Sequence, residues 1–530
     1  MQDPHVLQVV VVVGCAVIGF TWLAGRLRIT PPIVLLLGGV PLAFIPWTSD
    51  VVLEPTVVLL VFLPALLYWE SLTTSLREIR SNLRVVVLSS VLLVLATAGL
   101  VAVTAHALLG LSWPLAWVLG AVVAPTDATA MAAVAGRMPR RTLTTLRAES
   151  LINDGTALVV FALAVSVATG EQVFSWASAI GAFALSYVGG AVAGLVVAWL
   201  AVRARKLVHA PLSEAAISLL TPFGAFLLAE ELHASGVLAV VVCGLTLSQS
   251  GPRVIGARTR IQTEAFWRVT TFVLNGTLFV LVGLQLRGAV EGLSSTSVPG
   301  AAAQALLVAA VVIGTRLLWM NVTPYVIRAI DRRPQQRLRR VGFRQRQPMA
   351  WAGFRGGVSL AAALAVPQDV PGRDLIVLVT FGVILVTLVV QGLTLPAVLR
   401  WARLTDDGSE AREHALAERA ATEAGLSALP AVAERLGVGP LVVERVRADY
   451  EEHLHVLADP TMPVEDPALA AERGQHADDQ RLRAALIAEK RAAVVGLRDS
   501  RKIDDIVLRR LQSRLDAEEV RLSAPSADLD

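Results

Sequence analysis

Apolar runs of membrane-spanning length alternate with short polar segments from about Val6 to residue 400, after which charged and apolar residues alternate at short period. A helix needs about 20 apolar residues to cross a bilayer. Thirteen runs approach that length, centred near Gly14, Leu37, Leu60, Leu95, Val123, Val160, Gly190, Pro222, Val242, Leu278, Val312, Leu360 and Thr387. The second is short, and small and polar residues interrupt the fifth and twelfth. The pattern predicts an all-α polytopic membrane protein of about 13 transmembrane helices over residues 1–403, followed by a soluble helical C-terminal domain over 404–530. Within that tail, Arg481 to Ile487 and Ile506 to Leu511 carry apolar residues at helical spacing. Pro460, Pro463 and Pro467 divide it into two helical parts, and Ser523 to Asp530 read as a disordered end.

Composition agrees with this pattern: 55% of residues are hydrophobic, 17% are charged and the mean hydropathy is +0.62, which excludes an ordinary soluble domain. The net charge of +4 hides an uneven distribution. Alternate loops carry Arg26 and Arg28; Arg77, Arg80 and Arg84; Arg137, Arg140, Arg141 and Arg147; Arg203, Arg205 and Lys206; Arg253, Arg258 and Arg260; and the Arg332 to Arg346 cluster. The intervening loops show Asp50, Glu54, Glu171, Glu231 and Glu291, with Arg287 and Arg373 as the exceptions. This asymmetry places the N-terminus outside and the C-terminus in the cytoplasm, and makes the basic charge a topology signal rather than a nucleic-acid one. Cys15 and Cys243 both lie in apolar runs, which argues against a disulfide framework or a cysteine metal site. The first run lacks a basic lead-in and an A-x-A type cleavage site, so it reads as a retained span.

Polar residues within the spans are the candidate chemistry. A carboxylate near the bilayer centre costs about 2.5–3.5 kcal/mol on insertion scales, so it normally faces protein or a water-filled cavity and marks function. Glu149-Ser150-Leu151-Ile152-Asn153-Asp154-Gly155 leads into the apolar run Thr156 to Ala168. Ser150 and Asp154 are an i, i+4 pair on one helix face, with Asn153 on the adjoining face. Asp154 has no Lys or Arg within a helical turn, so burial favours its neutral form, and one carboxylate can then alternate between a proton and a hard monovalent cation. Such a cation takes oxygen ligands, which Ser150, Asp154 and carbonyls freed near Thr126 can supply. Thr126-Asp127 follows Pro125, which removes a helical hydrogen bond in mid-span; Asp127 either caps the broken helix or contacts the cation.

Two buried arginines and two weaker signals complete the set. Arg316 lies in mid-span and needs a counter-ion, for which Glu149 is the candidate, unless it snorkels to an interface. Gly353-Phe354-Arg355-Gly356-Gly357-Val358-Ser359-Leu360 offers a second break, or else a close-packing surface of small residues. Interrupted helices at matching positions in spans four to six and eleven to thirteen point to an inverted-repeat transporter with a midplane site. Glu70 ends the third span as an outer ligand or an interface anchor. His106, near the end of the fourth span, reads as structural.

Taken in order, Pro125-Thr126-Asp127, the Glu149 to Gly155 stretch, the Arg316 span, Gly353 to Leu360 and Gln391-Gly392-Leu393-Thr394 resemble the monovalent cation:proton antiporters of the sodium/proton exchanger type. The resemblance implies a dimer of thirteen-helix protomers, each with a dimerisation bundle and a six-helix core containing two crossed, broken helices. It implies further that Asp154 exchanges cation and proton, that Asn153 keeps the site in shape, and that Thr126 offers a carbonyl and Ser150 its hydroxyl beside Asp127. Glu149 and Arg316 resemble the family's buried ion pair, Glu70 matches a ligand found in part of the family, and Arg355 belongs to a motif to which chemistry alone assigns no role. Asn153 stands where electrogenic relatives carry a second Asp, which implies electroneutral exchange. The expected activity is antiport of a monovalent cation, Na+ before Li+ or K+, against H+ in the plasma membrane by alternating access, with membrane lipid as surroundings and no cofactor. A K+/H+ antiporter is the alternative, followed by a cation channel or a membrane enzyme; the spans contain no His-Glu-x-x-His pattern or paired Asp motif. The tail is either a solvated appendage or the seat of a regulatory ligand or partner.

Overall fold

The computed structural model describes residues 4–45, 54–127, 138, 140–208, 210–292, 297–330, 342–403, 409–458 and 476–523. The expectations placed on Asp50, Arg137, the basic segment 332–341, the 403/404 boundary, Pro460, Pro463, Pro467 and residues 524–530 lie outside these. Among the described residues every regular element is helical. The membrane part runs α1 (Pro4–Leu27), α2 (Pro31–Leu42), α3 (Pro55–Thr73), α4 (Leu76–Ser81), α5 (Leu83–Leu109), α6 (Trp113–Val123), α7 (Arg140–Ala168) and α8 (Trp176–Leu207). It continues with α9 (Pro211–Glu231), α10 (Gly236–Val254), α11 (Ala257–Glu291), α12 (Val298–Ile330), α13 (Phe343–Trp351), α14 (Gly357–Leu364) and α15 (Arg373–Ala402).

Ten of these helices are long and apolar enough to cross a membrane. The other three predicted spans fall on α2, α6 and the pair α13 and α14. With 12, 11, 9 and 8 residues, none of these four helices reaches the roughly 20 residues that a crossing requires. Local sequence explains many of the boundaries. Proline sits in the first turn of α2, α3, α6 and α9, where its missing N–H has no helical partner to lose. Ser75, Ser175 and Ser235 cap α4, α8 and α10 by accepting an N–H from three residues on. Three spans contain π-helical turns, Val58–Phe62 in α3, Leu88–Leu92 in α5 and Thr387–Gln391 in α15.

Two apolar clusters divide the membrane part. One joins α1, α2, α5, α6, α12, α14 and α15 to the second half of α11; the other joins α3, α8, α9 and α10 around Trp267. Helix α7 contributes Leu146 and Ala164 to the first and Leu151 to the second, and α3 also gives Val58 and Phe62 to the first, so both lie at the seam. Contact between α2 and α11 depends on Gly39 and Gly283: a Cβ on either would stand 2.3 or 2.2 Å from a carbonyl oxygen of the facing helix.

The tail forms α16 (Ser409–Leu436), α17 (Pro440–Ala458), α18 (His476–Asp499) and α19 (Asp505–Ser523), built on apolar clusters of its own. It docks on the ends of α3, α10 and α11. Arg509 donates to the carbonyls of Leu72 and Thr73, and Asp504 accepts from Ser75 Oγ at 2.6 Å. Asp505 accepts from Gln249 Nε2 at 3.1 Å, and Asp516 meets Arg260 at 2.5 Å.

Candidate cation site

At the seam between the two clusters lies a cavity of about 40 Å³, against the roughly 10–15 Å³ that one water needs. Helix α3 lines it with Leu63, Leu66, Leu67 and Glu70, α7 with Ser150 and Asp154, and α11 with Asn275 and Leu278. Pro125, Thr126 and Asp127 after α6 and Gly356, Gly357, Val358 and Ser359 at the start of α14 complete the lining. Three carboxyl groups therefore look into one space that, among the described residues, no Lys, Arg or His lines. Asp154 is 8% exposed. Toward the Ala168 end of α7, Leu158 and Phe161 pack with Ala121, Val122, Val358 and Ala362, leaving no room for a water.

The two chain breaks explain how backbone enters this space. Helix α6 ends at Val123 and residues 124–127 are not helical, while α13 ends at Trp351 and residues 352–356 are irregular up to α14. The second half of the fifth predicted span, residues 128–137, lies outside the described residues. The two non-helical pieces meet, because the Asp127 N–H donates to Phe354 O at 2.8 Å. Gly356 is required at this meeting: a Cβ there would fall 1.7 Å from Asp127 Oδ2. Gly357 packs on Leu278 of α11.

Arg355, 1% exposed, holds the breaks together. Its Nε donates to Val123 O at 3.0 Å and its Nη2 to Ala124 O at 3.3 Å, while Nη1 reaches Gly353 O. In an unbroken helix Val123 O would accept from Asp127 N–H, which here goes to Phe354; the guanidinium takes its place. The Arg355 N–H in turn donates to Thr387 Oγ1 at 3.3 Å, in the π-turn of α15.

A hydroxyl and amide network orders the α7 side. Asn153 Nδ2 donates to Thr126 Oγ1 at 2.8 Å, and Thr126 Oγ1 lies 3.2 Å from Ser150 Oγ. Asn153 thus ties α7 to the break after α6, and its Oδ1 is buried with no hydrogen-bond partner among the described residues. One turn before Asp154, Glu149 is paired with Arg316 of α12, the two side chains 1% and 2% exposed. Arg316 also donates to Met349 O at 3.2 Å, so this pair joins α7, α12 and α13 and stays out of the cavity lining. His106, though exposed, stacks on Trp113 with its Nδ1 2.8 Å from Leu111 O.

Sequence reasoning missed Asn275 and Thr387. A lone mid-span amide was the available signal for the first. Nothing in the sequence marks the second, because its partner is a backbone N–H.

Comparison with known proteins gives the family and the fold. The sequence model of the family described as sodium/hydrogen exchanger, transmembrane, matches residues 12–401. An uncharacterised Na+/H+ exchanger of Mycobacterium tuberculosis is 49% identical over 98% of this chain and 97% of its own length. The Na+/H+ antiporter ApNhaP of Aphanothece halophytica is 32% identical over 76% of this chain and 75% of its own. Among solved structures, the sodium proton antiporter MjNhaP1 from Methanocaldococcus jannaschii superposes with a TM-score of 0.60 at 20% identity, covering 76% of this chain and all of that one, which shows a shared fold.

Proposed function

The chain belongs to the sodium/hydrogen exchanger family, and on that premise we propose that it exchanges Na+ for H+ by alternating access, with both ions competing for Asp154. One observation carries this reading: Asp154 is buried yet lines a cavity with room for water, whose polar groups are carboxylates, hydroxyls and an amide, with no cationic side chain in the lining among the described residues. Oxygen ligands suit a hard monovalent cation. Protonation of Asp154 removes the charge that holds the cation, and cation binding expels the proton. An empty, ionised Asp154 would carry an uncompensated charge through low dielectric, which suppresses leak.

The remaining roles follow from position. Thr126, Ser150, Asp127 and Glu70 are assigned to cation binding or its approach, and Asn153 to holding Thr126. Glu149 and Arg316, paired away from the cavity, are assigned a structural role, and Pro125, Arg355, Gly356 and Gly357 the shaping of the breaks. With Asn153 neutral, one carboxylate exchanges, so transport is electroneutral. The assembly is a homodimer in the plasma membrane, with the N-terminus outside. Docking of the charged helices α18 and α19 beside Gln249, Arg253 and Arg260, at an Arg-rich end of the bundle, supports a cytoplasmic tail over residues 404–530.

The test is a pH-dye dequenching assay in proteoliposomes with Na+, Li+ or K+, with and without a clamp on membrane potential. Cation-driven proton movement that ignores the clamp and disappears in Asp154→Asn is expected. Transport retained by Asp154→Asn, or current that follows voltage, would overturn the reading.

A further inference from the structure

Asp154 faces the cavity, and two residues later Thr156 faces the opposite way, since successive even positions on an α-helix fall on opposed sides. Behind the ion site, α7 adds Leu151 to the second apolar cluster. Gly155 lets it approach α10 so closely that a Cβ there would be 3.1 Å from Leu238 Cγ. Thr156, beside it, is polar and stays out of the cavity lining. Its hydroxyl lies 2.9 Å from Ser90 O, in the π-turn of α5, and 3.1 Å from Ile152 O. A threonine has one proton to give. Once it goes to either carbonyl, the oxygen is left to accept from Tyr187 of α8, whose hydroxyl is in hydrogen-bond contact with it.

Tyr187 is not an interface anchor. It lies eleven residues into α8, about 16 Å from the helix start at ~1.5 Å per residue, whereas anchoring tyrosines gather at the membrane surface. Its ring stacks on Phe183 at 4.6 Å, which aims the hydroxyl at α7. Helix α8 packs with α3, α9 and α10, while α7 packs principally on α6 and α5. The contact therefore joins the two bodies between which the cavity lies. Sliding α7 by one helical turn, about 5.4 Å, would separate the two hydroxyls.

We propose that Tyr187 is a positioning residue: its hydroxyl bond to Thr156 sets the axial register of the Asp154 helix against α8, and so favours the arrangement described above over its alternate. The inference rests on the alternating-access reading. A contact present in one of two conformations shifts their ratio by its free energy. One net hydrogen bond corresponds to a population change of roughly five- to tenfold.

The test uses the full chain in right-side-out and inside-out vesicles, measuring the KM for Na+ on each face. Tyr187→Phe is expected to change the ratio of the two KM values by roughly five- to tenfold, with the saturating rate altered far less. Thr156→Val should do the same, the double variant no more than either, and Thr156→Ser should behave as the parent. Should Tyr187→Phe not fold, Thr156→Val and Thr156→Ser give the same contrast. An unchanged KM ratio, or shifts that add in the double variant, would overturn the proposal. Asp154→Asn measured alongside keeps the two readings apart. Transport by that variant defeats the antiport mechanism, whereas its silence beside a parent-like Tyr187→Phe defeats the register role alone.

Discussion

Replacing Arg355 separates the shape of its side chain from its charge. The guanidinium serves three backbone carbonyls, those of Val123, Ala124 and Gly353, from three different nitrogens. They lie at a helix end and a chain break, and Val123 O has lost its helical donor to Phe354. A lysine keeps the charge but gathers its donors on one atom at the tip of a flexible stem, which cannot fork across both breaks. Each buried acceptor left unsatisfied costs roughly 1–3 kcal/mol, so losing two of three in Arg355→Lys amounts to roughly 2–6 kcal/mol. Whole domains are stable by only about 5–15 kcal/mol. Heating detergent-solubilised protein and following the surviving oligomer by size-exclusion chromatography should therefore show a clearly lower midpoint for Arg355→Lys, with Na+-driven proton flux reduced in step. Arg355→Ala should be worse. An Arg355→Lys protein with parental midpoint and flux would refute the argument, because charge alone would then suffice.

Arg316→Met should destabilise by roughly 3–5 kcal/mol, since it leaves Glu149 buried and unpaired, and pairing it with Glu149→Leu should recover most of that; simple additivity in a double-mutant cycle of melting midpoints would contradict a direct pair. Gly356→Ala should abolish proton flux, because its Cβ would collide with Asp127 Oδ2 at 1.7 Å, whereas Gly288→Ala, with open space around it, should leave flux intact. In the tail, a hydrogen bond from His453, with Arg514 and His414 nearby, holds the Glu418 carboxyl below its ordinary value of 4.5. A depressed folded value gives stability that is present above the unfolded value and lost as pH falls through the folded one. Hydrogen exchange in α16 and α17 should accordingly rise only on acidification below about 4.5, and Glu418→Gln should remove that dependence.

Much of this was readable from residue order because membrane burial makes polar residues conspicuous. Glu149 and Arg316 lie 167 positions apart, yet two opposite charges in lipid-length apolar runs have few ways to be satisfied, and the structure pairs them. Pro125 and the Gly356-Gly357 step marked the two interruptions for a similar reason: one lacks an N–H and the others lack the side chains that would fill the crossing. Arg355 kept its purpose hidden because its partners are carbonyls, which every residue possesses. Thr156 and Tyr187 were equally silent, since each alone is an ordinary member of an apolar helix and only the packing of α7 on α8 brings their hydroxyls together. The shortness of α2 and the break after α6 were legible as well, but the residue at which each helix stops was not. Hydropathy sums residues on both sides of a break and does not register where helical hydrogen bonding stops.

The π-turn Val58–Phe62 sits two turns ahead of Glu70 in the same span. A π-turn carries one residue more than the α-turn it replaces, and each residue of an α-helix advances the side-chain direction by about 100°. Loss of one codon between positions 58 and 62 would let this turn close as an ordinary α-turn, with the residues on either side kept in phase. The same loss between positions 63 and 67 would swing the preceding half of the span a quarter-turn against Glu70, which faces the cavity, and against Tyr68, whose ring packs on Trp267 at 5.4 Å. The π-turn is thus the place in this span where an in-frame deletion is best absorbed, a tolerance that gene-level scans sampling substitutions alone would pass over.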